Sequence, residues 1–269
     1  MQIHPVQIHV VVAPVFGTNC CVVAVGGPTA DDGAPRDCVV VDAGAGVADD
    51  VSRLVDAHGL RPRAVLATHG HVDHTWDAAE LCDRYDVPMR LAAADAYRLA
   101  DPFGTLGLVA AGGGAGGHAG VGVSGALTAA LAAAGRRPED YRAPGRVETF
   151  GPEPATGEVE LAAGAVRLHA VAAPGHTEGS TLYVLGADDT GRDAPRGGPG
   201  ATGSGVVLVG DVLFAGGVGR TDLPGGDPAV MARTLRDVVA RLDPGLAVVP
   251  GHGPATTVGR ELATNPFLR

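Results

Sequence analysis

The sequence feature that most limits the fold is a cluster of three histidines and one aspartate directly behind a short apolar segment. His69, His71, Asp73 and His74 form the pattern His-x-His-x-Asp-His, and residues 63–67 before them are predicted to form a buried strand. Imidazole and carboxylate groups that leave water need polar partners, which a metal ion can supply to several of them at once. Zinc, iron and manganese all accept such ligands. The pattern therefore favours a metal site at a strand end over three exposed histidines.

The rest of the chain alternates between strand-like and helix-like segments. Strands are predicted at residues 7–13, 19–26, 38–42, 63–67, 87–91, 159–161, 166–172, 180–185, 206–209 and 246–249. Helices are predicted at residues 47–58, 76–85, 93–100, 126–134 and 227–242. Two halves in which strands are followed by helices predict an α/β (α+β) chain, with two sheets face to face and helices outside.

One domain is predicted over residues 1–269, with two segments of unusual composition. Residues 101–145 are mostly glycine and alanine, which is typical either of a mobile lid beside a site or of a low-complexity loop. Residues 187–205 are rich in glycine, aspartate, proline and arginine, and they are predicted to be an exposed connection.

Charge and cysteine content narrow the classes of partner. The net charge of −10 argues against a nucleic-acid surface and against a polybasic membrane contact. No secretory signal and no apolar run of membrane-spanning length is visible. The four cysteines lack zinc-ribbon spacing, and three of them lie in apolar runs, which predicts buried reduced thiols: Cys20, Cys21, Cys38 and Cys82. We expect a cytoplasmic protein with a small-molecule substrate, and the sequence does not indicate an oligomeric state.

Further metal ligands are predicted in the second half of the chain, where His176, Asp211 and His252 each follow an apolar strand. Asp42 ends the third strand of the first half. Most of these residues have glycine neighbours, which let the backbone approach closely. If the strands run in one direction relative to the site, these turns meet at one edge of the sandwich. Five histidines and two aspartates, without Asp42, are enough for two metal ions.

Four motifs, in this order, resemble the metal motifs of the metallo-β-lactamase superfamily: His69-x-His71-x-Asp73-His74, Pro174-Gly-His176, Gly210-Asp211 and Gly251-His252-Gly253. The segment 219–227, Gly-Arg-Thr-Asp-Leu-Pro-Gly-Gly-Asp, resembles the glyoxalase II (hydroxyacylglutathione hydrolase-like) branch in its short bacterial form. The resemblance implies an αββα sandwich. It also implies that His69, His71 and His176 hold a first metal, that Asp73, His74 and His252 hold a second, and that Asp211 bridges them.

The resemblance implies hydrolysis of a thioester of a low-molecular-weight thiol. A hydroxide bridging two divalent metals, expected to be zinc with iron or manganese as alternatives, would attack the carbonyl, while Asp73 and Asp211 hold that hydroxide. The chain contains no lysine, whereas long-form glyoxalase II uses a lysine near the thiol tripeptide, so glutathione is not fixed as the thiol. Asp42 is expected to support the site from outside, and Arg220 to pair with Asp222 or to contact substrate. Trp76 and Phe214 are expected to be core residues beside the site.

Three alternatives remain open at this stage. Persulfide dioxygenases resemble this branch and hold one iron with residues matching His69, His176 and Asp211. The segment around His252, which supplies a second-site ligand, favours the hydrolase. A lactonase or β-lactamase is a second alternative, although the missing signal peptide argues against a periplasmic β-lactamase. A non-enzymatic metal-binding module is the third, but it would be expected to lack a ligand.

Overall fold

Two six-stranded sheets form the centre of the computed structural model, which describes residues 6–26, 33–107, 123–152, 156–186 and 205–269. In the first sheet the strands lie in chain order: β1 (Val6–Val12), β2 (Asn19–Val25), β3 (Arg36–Val41), β4 (Leu60–Leu66), β5 (Met89–Ala92) and β6 (Val147–Phe150). Strands β1 to β3 are antiparallel, and β3 to β6 are parallel.

The second sheet and a small hairpin come from the second half of the chain. Its strands are β7 (Glu158–Ala163), β8 (Val166–Ala172), β9 (Thr181–Leu185), β10 (Val206–Gly210), β13 (Ala247–Pro250) and β14 (Thr256–Thr257), in the spatial order β14-β13-β10-β9-β8-β7. The hairpin pairs β11 (Leu213–Phe214) with β12 (Gly217–Val218). Both β8 and β10 are antiparallel to β9, and β13 is parallel to β10, so β8, β10 and β13 point the same way.

The described residues contain six α-helices beside the sheets: α1 (Ala48–Ala57), α2 (Val72–Thr75), α3 (Ala78–Tyr85), α4 (Val123–Ala133), α5 (Pro228–Asp237) and α6 (Val258–Thr264). Helix α5 begins where the Asp227 side chain accepts hydrogen bonds from the backbone N–H groups of Ala229 and Val230. None of the helices within the described ranges is long and apolar enough to cross a membrane.

Alternation of side chains along the strands produces the layers. Val23 of β2 packs between the sheets with Leu168 of β8, whereas its neighbour Val22 packs against Val51 of α1 and Leu81 of α3. The second sheet is divided in the same way and buries the apolar faces of α5 and α6 on its outer side. The predicted α/β (α+β) chain with an αββα four-layer sandwich is therefore confirmed. All four cysteines are buried and free, as expected.

The Gly/Ala-rich insert contributes one packed element to the described structure. Helix α4 places Leu131, which is buried, in a cluster with Val72 and Trp76. Phe103 and Tyr141 meet the Trp76 ring edge-on, with centroids 6.3 and 5.8 Å away. Residues 108–122 of the insert and residues 187–204 of the predicted exposed connection lie outside the described residues. For the insert, the mobile lid and the low-complexity loop therefore both stay predictions.

Several predicted boundaries were wrong for local reasons. The helix predicted at 93–100 is a 3₁₀ helix (Ala93–Leu99), and the helix predicted at 227–242 ends at Asp237 before a 3₁₀ turn (Val239–Arg241). Two β-branched residues, Val238 and Val239, stand at that break and are weak helix formers. The helix predicted from residue 76 begins at Ala78, because residues 72–75 form the separate helix α2.

Candidate metal centre

The predicted metal ligands lie where strands of shared direction end. The turn with the histidine cluster follows β4, and the three later ligands follow β8, β10 and β13. Because β3 and β4 are parallel, and β8, β10 and β13 also share one direction, these turns meet at one edge of the sandwich. The seven side chains that come together there are His69, His71, Asp73, His74, His176, Asp211 and His252.

The first group, called here the first site, contains His69, His71 and His176. Nδ1 of His71 lies 3.0 Å from Nε2 of His69 and 3.0 Å from Nε2 of His176. All three residues are buried. Three ring nitrogens thus point into one small space at the junction of the two sheets.

The second group, called here the second site, contains Asp73, His74 and His252. Nε2 of His74 lies 3.2 Å from Nε2 of His252, and Oδ2 of Asp73 lies 3.3 Å from Nε2 of His252 and 3.7 Å from Nε2 of His74. His74 is fully buried, whereas the side chains of Asp73 and His252 are 22% and 26% exposed. The second site therefore lies on the accessible side of the centre.

Asp211 stands between the two sites. Its Oδ1 lies 3.4 Å from Nε2 of His74, and its Oδ2 lies 3.8 Å from Nε2 of His176 and 3.6 Å from Nε2 of His252. One carboxylate thus faces ring nitrogens of both sites, which is the placement that a bridging ligand requires.

The outer nitrogens of two rings donate hydrogen bonds to backbone carbonyls. Nδ1 of His176 donates to the carbonyl of Arg220 at 2.7 Å, and Nδ1 of His252 donates to the carbonyl of Phe16 at 3.0 Å. A neutral imidazole that donates from Nδ1 has its lone pair on Nε2. Both rings therefore direct a lone pair towards the centre.

Two further rings are oriented through Asp42. The Thr68 hydroxyl donates to Oδ2 of Asp42 at 2.8 Å, so its oxygen is free to accept from Nδ1 of His69, 3.2 Å away. The backbone N–H of Thr68 donates to Oδ1 of Asp42 at 2.8 Å. Nδ1 of His74 lies 3.1 Å from Oδ2 of Asp42. Both rings turn Nε2 inward, so Asp42 supports the site from outside.

Converging lone pairs of this kind fit divalent metal ions. Ring nitrogens that accept cannot satisfy each other by hydrogen bonding, whereas a cation accepts several lone pairs. A tetrahedral ion with bonds of about 2.0–2.1 Å separates its ligand atoms by about 3.3–3.4 Å. The observed separations within the two groups, 3.0–3.7 Å, bracket that value. In addition, Oδ1 of Asp211 is buried and accepts no hydrogen bond from the described residues.

Burial and charge tune the titration of these ligands. Burial lowers the pKa of His69 well below its ordinary value and the pKa of His71 to about 3. Burial also opposes charge on His74, but the carboxylates of Asp73, Asp42 and Asp211 outweigh it and raise the pKa of His74. For Asp211, burial is outweighed by His74 and the other histidines, which lower its pKa. The His69 and His71 imidazoles are thus neutral and ready to bind a metal near pH 7.

Arg220 and Asp222 occupy the loop after the hairpin. The Arg220 guanidinium makes two hydrogen bonds of 2.7 Å to the Asp222 carboxylate, and both side chains are exposed. Asp222 therefore reaches the centre only through Arg220, whose carbonyl holds His176. A substrate contact of Arg220 stays a prediction. Trp76 is buried, and the Phe214 ring lies 6.4 Å from the His252 ring.

Sequence reasoning missed several buried polar residues around the ligands. Asn19 donates from its side-chain amide to the carbonyls of Pro250 and Gly253, on either side of His252. Asp95 and Arg98 contact the turns of the first site. Asp95 lies three residues after the end of β5, but like Asn19 and Arg98 it has no glycine neighbour and belongs to no repeated motif, so no local pattern marked it.

Comparison with known proteins places these motifs in a family. The model of the metallo-beta-lactamase superfamily matches residues 14–190. A protein of Mycobacterium tuberculosis is 32% identical over 257 residues, which cover 95% of each chain. The probable metallo-hydrolase YqgX of Bacillus subtilis is 30% identical over 231 residues, which cover 86% of this chain and 87% of that protein. A hydroxyacylglutathione hydrolase of Anaeromyxobacter dehalogenans is 33% identical over 219 residues, which cover 81% of this chain and 58% of that protein.

Solved structures show the same architecture. The crystal structure of the BLEG-1 B3 metallo-beta-lactamase superposes with a TM-score of 0.67 at 25% identity, covering 97% of this chain and 99% of that chain. The crystal structure of TTHA1623 in a di-iron-bound form superposes with a TM-score of 0.62 at 27% identity, covering 97% of this chain and all of that chain.

Proposed function

Because the chain belongs to the metallo-β-lactamase superfamily of metallohydrolases, we propose that it is a binuclear hydrolase of thioesters formed by a low-molecular-weight thiol. The observation that supports this proposal most directly is the set of seven ligand-type side chains, with Asp211 between two groups of three. The set has ligands for two ions rather than one. The similarity to a hydroxyacylglutathione hydrolase supports the thioester class.

The protein's own residues have three tasks in this reaction. Bound divalent metals would lower the pKa of water towards neutrality and polarise the substrate carbonyl. Asp73 and Asp211 present carboxylate oxygens that can accept a hydrogen bond from the attacking water and fix its direction. The outer hydrogen bonds of His69, His176 and His252 hold their rings in one tautomer, and Asp42 lies beside Nδ1 of His74. Substrate approaches from the side of Asp73 and His252, which are the partly exposed ligands.

A thioester suits the absence of an acid group beside the described ligands. The carboxyl groups in the centre either belong to the seven ligand-type side chains or, like Asp42, accept hydrogen bonds from neighbouring N–H and hydroxyl groups. Thiols have pKa values of about 8.5, so a thiolate leaves without a proton from the protein. Alcohol and amine leaving groups need such a proton more strongly.

The location and the metal identity form part of the same proposal. Four free, buried cysteines support a reducing compartment, and we propose the cytoplasm. A ligand set of nitrogen and oxygen atoms suits zinc, and it also suits iron or manganese. We propose zinc as the resident ion and a small molecule as the substrate, without nucleic acid or membrane as partners.

The test combines metal analysis with a thioester assay on the same preparation. Protein purified without added metal is analysed for zinc, iron and manganese per chain and is then assayed with S-lactoyl derivatives of several small thiols. We expect about two metals per chain and thioester turnover. His252→Ala should lose one metal and most of the activity, whereas His58→Ala, an exposed residue outside the centre, should keep both.

Other outcomes distinguish the remaining family activities. One iron per chain, no thioester turnover and oxygen uptake with a persulfide would contradict the hydrolase and support a persulfide dioxygenase. Two metals with turnover of lactones or β-lactams, and none of thioesters, would keep the binuclear hydrolase and change its substrate class. Retention of no metal would contradict the proposal.

A further inference from the structure

A buried carboxylate connects the two turns that supply the first site. Oδ2 of Asp95 accepts from the backbone N–H of Gly70 at 2.8 Å and from the Thr177 hydroxyl at 2.7 Å. Its Oδ1 accepts from the backbone N–H of Gly179 at 2.8 Å and faces Nε of Arg98 at 3.3 Å. Gly70 lies between His69 and His71, and Thr177 follows His176. One side chain therefore contacts residues adjacent to all three first-site ligands.

Arg98 extends this connection to two more segments. Its guanidinium donates to the carbonyls of Thr105 and Pro224 at 3.3 and 3.0 Å and pairs with Glu178 at 2.5 Å. Arg98 and Asp95 are both fully buried. A buried ion pair between side chains three residues apart is expensive to desolvate unless its remaining hydrogen-bonding groups are satisfied, which they are here.

The two turns pack closely against Asp95 at Gly70 and Gly179. A Cβ atom at Gly179 would lie 2.6 Å from Cγ of Asp95, and a Cβ atom at Gly70 would lie 2.8 Å from the Asp95 carbonyl oxygen. Two glycines thus let the turns approach the carboxylate closely. The distance between the His69–His71 turn and His176 is set by this contact, because both turns are bound to the two oxygens of one carboxylate.

We propose that Asp95, supported by Arg98, is a positioning residue that determines the metal affinity of the first site. Within the described structure Asp95 makes no hydrogen bond to a ligand-type side chain. It acts on His69, His71 and His176 through Gly70, Thr177 and Gly179. The second site is held by other groups, namely Asp42 behind His74, and Asn19 with the Phe16 carbonyl around His252. This inference rests on the binuclear centre of the proposed function, and it predicts that loss of Asp95 weakens one site and not the other.

Asp95→Asn is the sharpest variant because it keeps the shape of the side chain. Its amide nitrogen replaces one acceptor oxygen and faces two donors, either Gly70 N–H and the Thr177 hydroxyl or Gly179 N–H and Arg98. Outer contacts of metal ligands are typically worth about 10–100-fold in metal affinity. We expect a loss of about that size in zinc affinity at the first site.

The measurement is zinc binding by competition with a chromophoric chelator in single-site backgrounds. His252→Ala leaves the first site intact, and His71→Ala leaves the second. Asp95→Asn should weaken zinc binding in the His252→Ala background and leave it unchanged in the His71→Ala background. Asp77→Asn is the matched control, because Asp77 is also a buried carboxylate that accepts two backbone N–H bonds, from Gly46 and Ala48.

Each outcome has one meaning. The inference is overturned if Asp95→Asn binds zinc as tightly as its parent in the first-site background. It is also overturned if Asp77→Asn, at a similar loss of resistance to urea, weakens that site equally, because the effect would then be general destabilisation. Wild-type protein that binds no divalent metal would contradict the proposed function itself, which this competition experiment reveals before any variant is compared.

Discussion

Five histidine rings meet at the metal centre, and at the scale of single residues the outer nitrogen separates His71 from the others. His69, His176 and His252 each have a hydrogen-bonded oxygen at that nitrogen, and Nδ1 of His74 lies 3.1 Å from Oδ2 of Asp42 without a hydrogen bond. Nε2 of His71 is buried and has no hydrogen-bond partner among the described residues. The orientation of His71 therefore depends on its backbone, which makes the contact between Gly70 and Asp95 more important for this ligand than for any other.

Gly219 offers a test of how closely the centre is packed. A Cβ atom there would overlap the carbonyl oxygen of Asp211 and lie 3.3 Å from Nδ1 of His176. Gly217, two residues earlier, has only the Cβ of Phe214 nearby, at 3.9 Å. We expect Gly219→Ala to lower the free energy of unfolding by about 1–3 kcal/mol and to reduce the bound metal. Gly217→Ala should change stability by less than about 0.5 kcal/mol.

Urea unfolding and metal analysis of the two variants provide the measurement. Equal stability and equal metal content in both variants would show that the hairpin can move away from Asp211, and that its contact with the centre is not fixed.

Residues that could be predicted from the sequence differ physically from those that could not. The seven ligand-type side chains lie in turns behind apolar strands, and five of them have a glycine neighbour, so local pattern and chemistry identify them. Asp95 is different, because its partners Gly70 and Gly179 are 25 and 84 positions away and the fold alone brings them together. A lone aspartate in an alanine-rich segment has no local pattern that indicates such a role.

At the scale of elements, a change of backbone conformation explains how six residues serve two sites. His71 is extended, with φ −68° and ψ 147°, and helix α2 begins immediately after it. His69 and His71 thus precede the helix and face the first site. Asp73 and His74 come from one helical turn and face the second. The sequence predicted a turn at this position, and it did not predict that helix α2 begins within that turn.

Helix α4 of the insert packs against Trp76, so tryptophan fluorescence can report on this contact. Trp76 is the sole tryptophan of the sequence, and it shares a cluster with the fully buried Leu131 of α4. Leu131→Ala should lower the free energy of unfolding by about 2–5 kcal/mol and shift the tryptophan emission to longer wavelength. Ala132→Ser, on the exposed side of α4, should change neither. An unchanged emission in Leu131→Ala would mean that α4 does not cover Trp76 in solution.

Two of the strands that escaped prediction lack the hydrophobic pattern on which prediction depends. Three of the four residues of β6 are exposed, so no alternation marks Val147–Phe150 as a strand. Strand β14 has two residues and forms only by pairing with β13. By contrast, β2 and β3 are apolar over most of their length because both faces are covered, and these strands were predicted within a few residues.

At the scale of the whole molecule, the centre joins the two halves of the sandwich. Each site takes two ligands from the turn after β4 in the first sheet and one from the second sheet. His176 completes the first site and His252 completes the second. Metal binding is therefore coupled to the relative position of the two sheets, since neither half of the chain has a complete site.

The four buried thiols make stability depend on pH in the alkaline range. Burial raises the pKa of Cys38 and of Cys82 to about 12, and it raises the pKa of Cys20 and Cys21 as well. An unfolded thiol loses its proton near pH 8.5–9, so between pH 9 and 12 the unfolded chain binds fewer protons than the folded one. The free energy of unfolding must then fall as pH rises, by up to about 1.4 kcal/mol per pH unit for each thiol.

Replacement of Cys38 and Cys82 by alanine isolates this effect, because the loss of packing is the same at every pH. We expect the stability of the wild type to fall between pH 8 and pH 10 by about 2–3 kcal/mol more than that of the double variant. Urea unfolding under reducing conditions at the two pH values gives the difference directly. A pH dependence equal in both proteins would mean that the two thiols ionise as easily in the folded chain as in the unfolded one. In that case water would have to reach the space between the first sheet and its covering helices, where both side chains are buried.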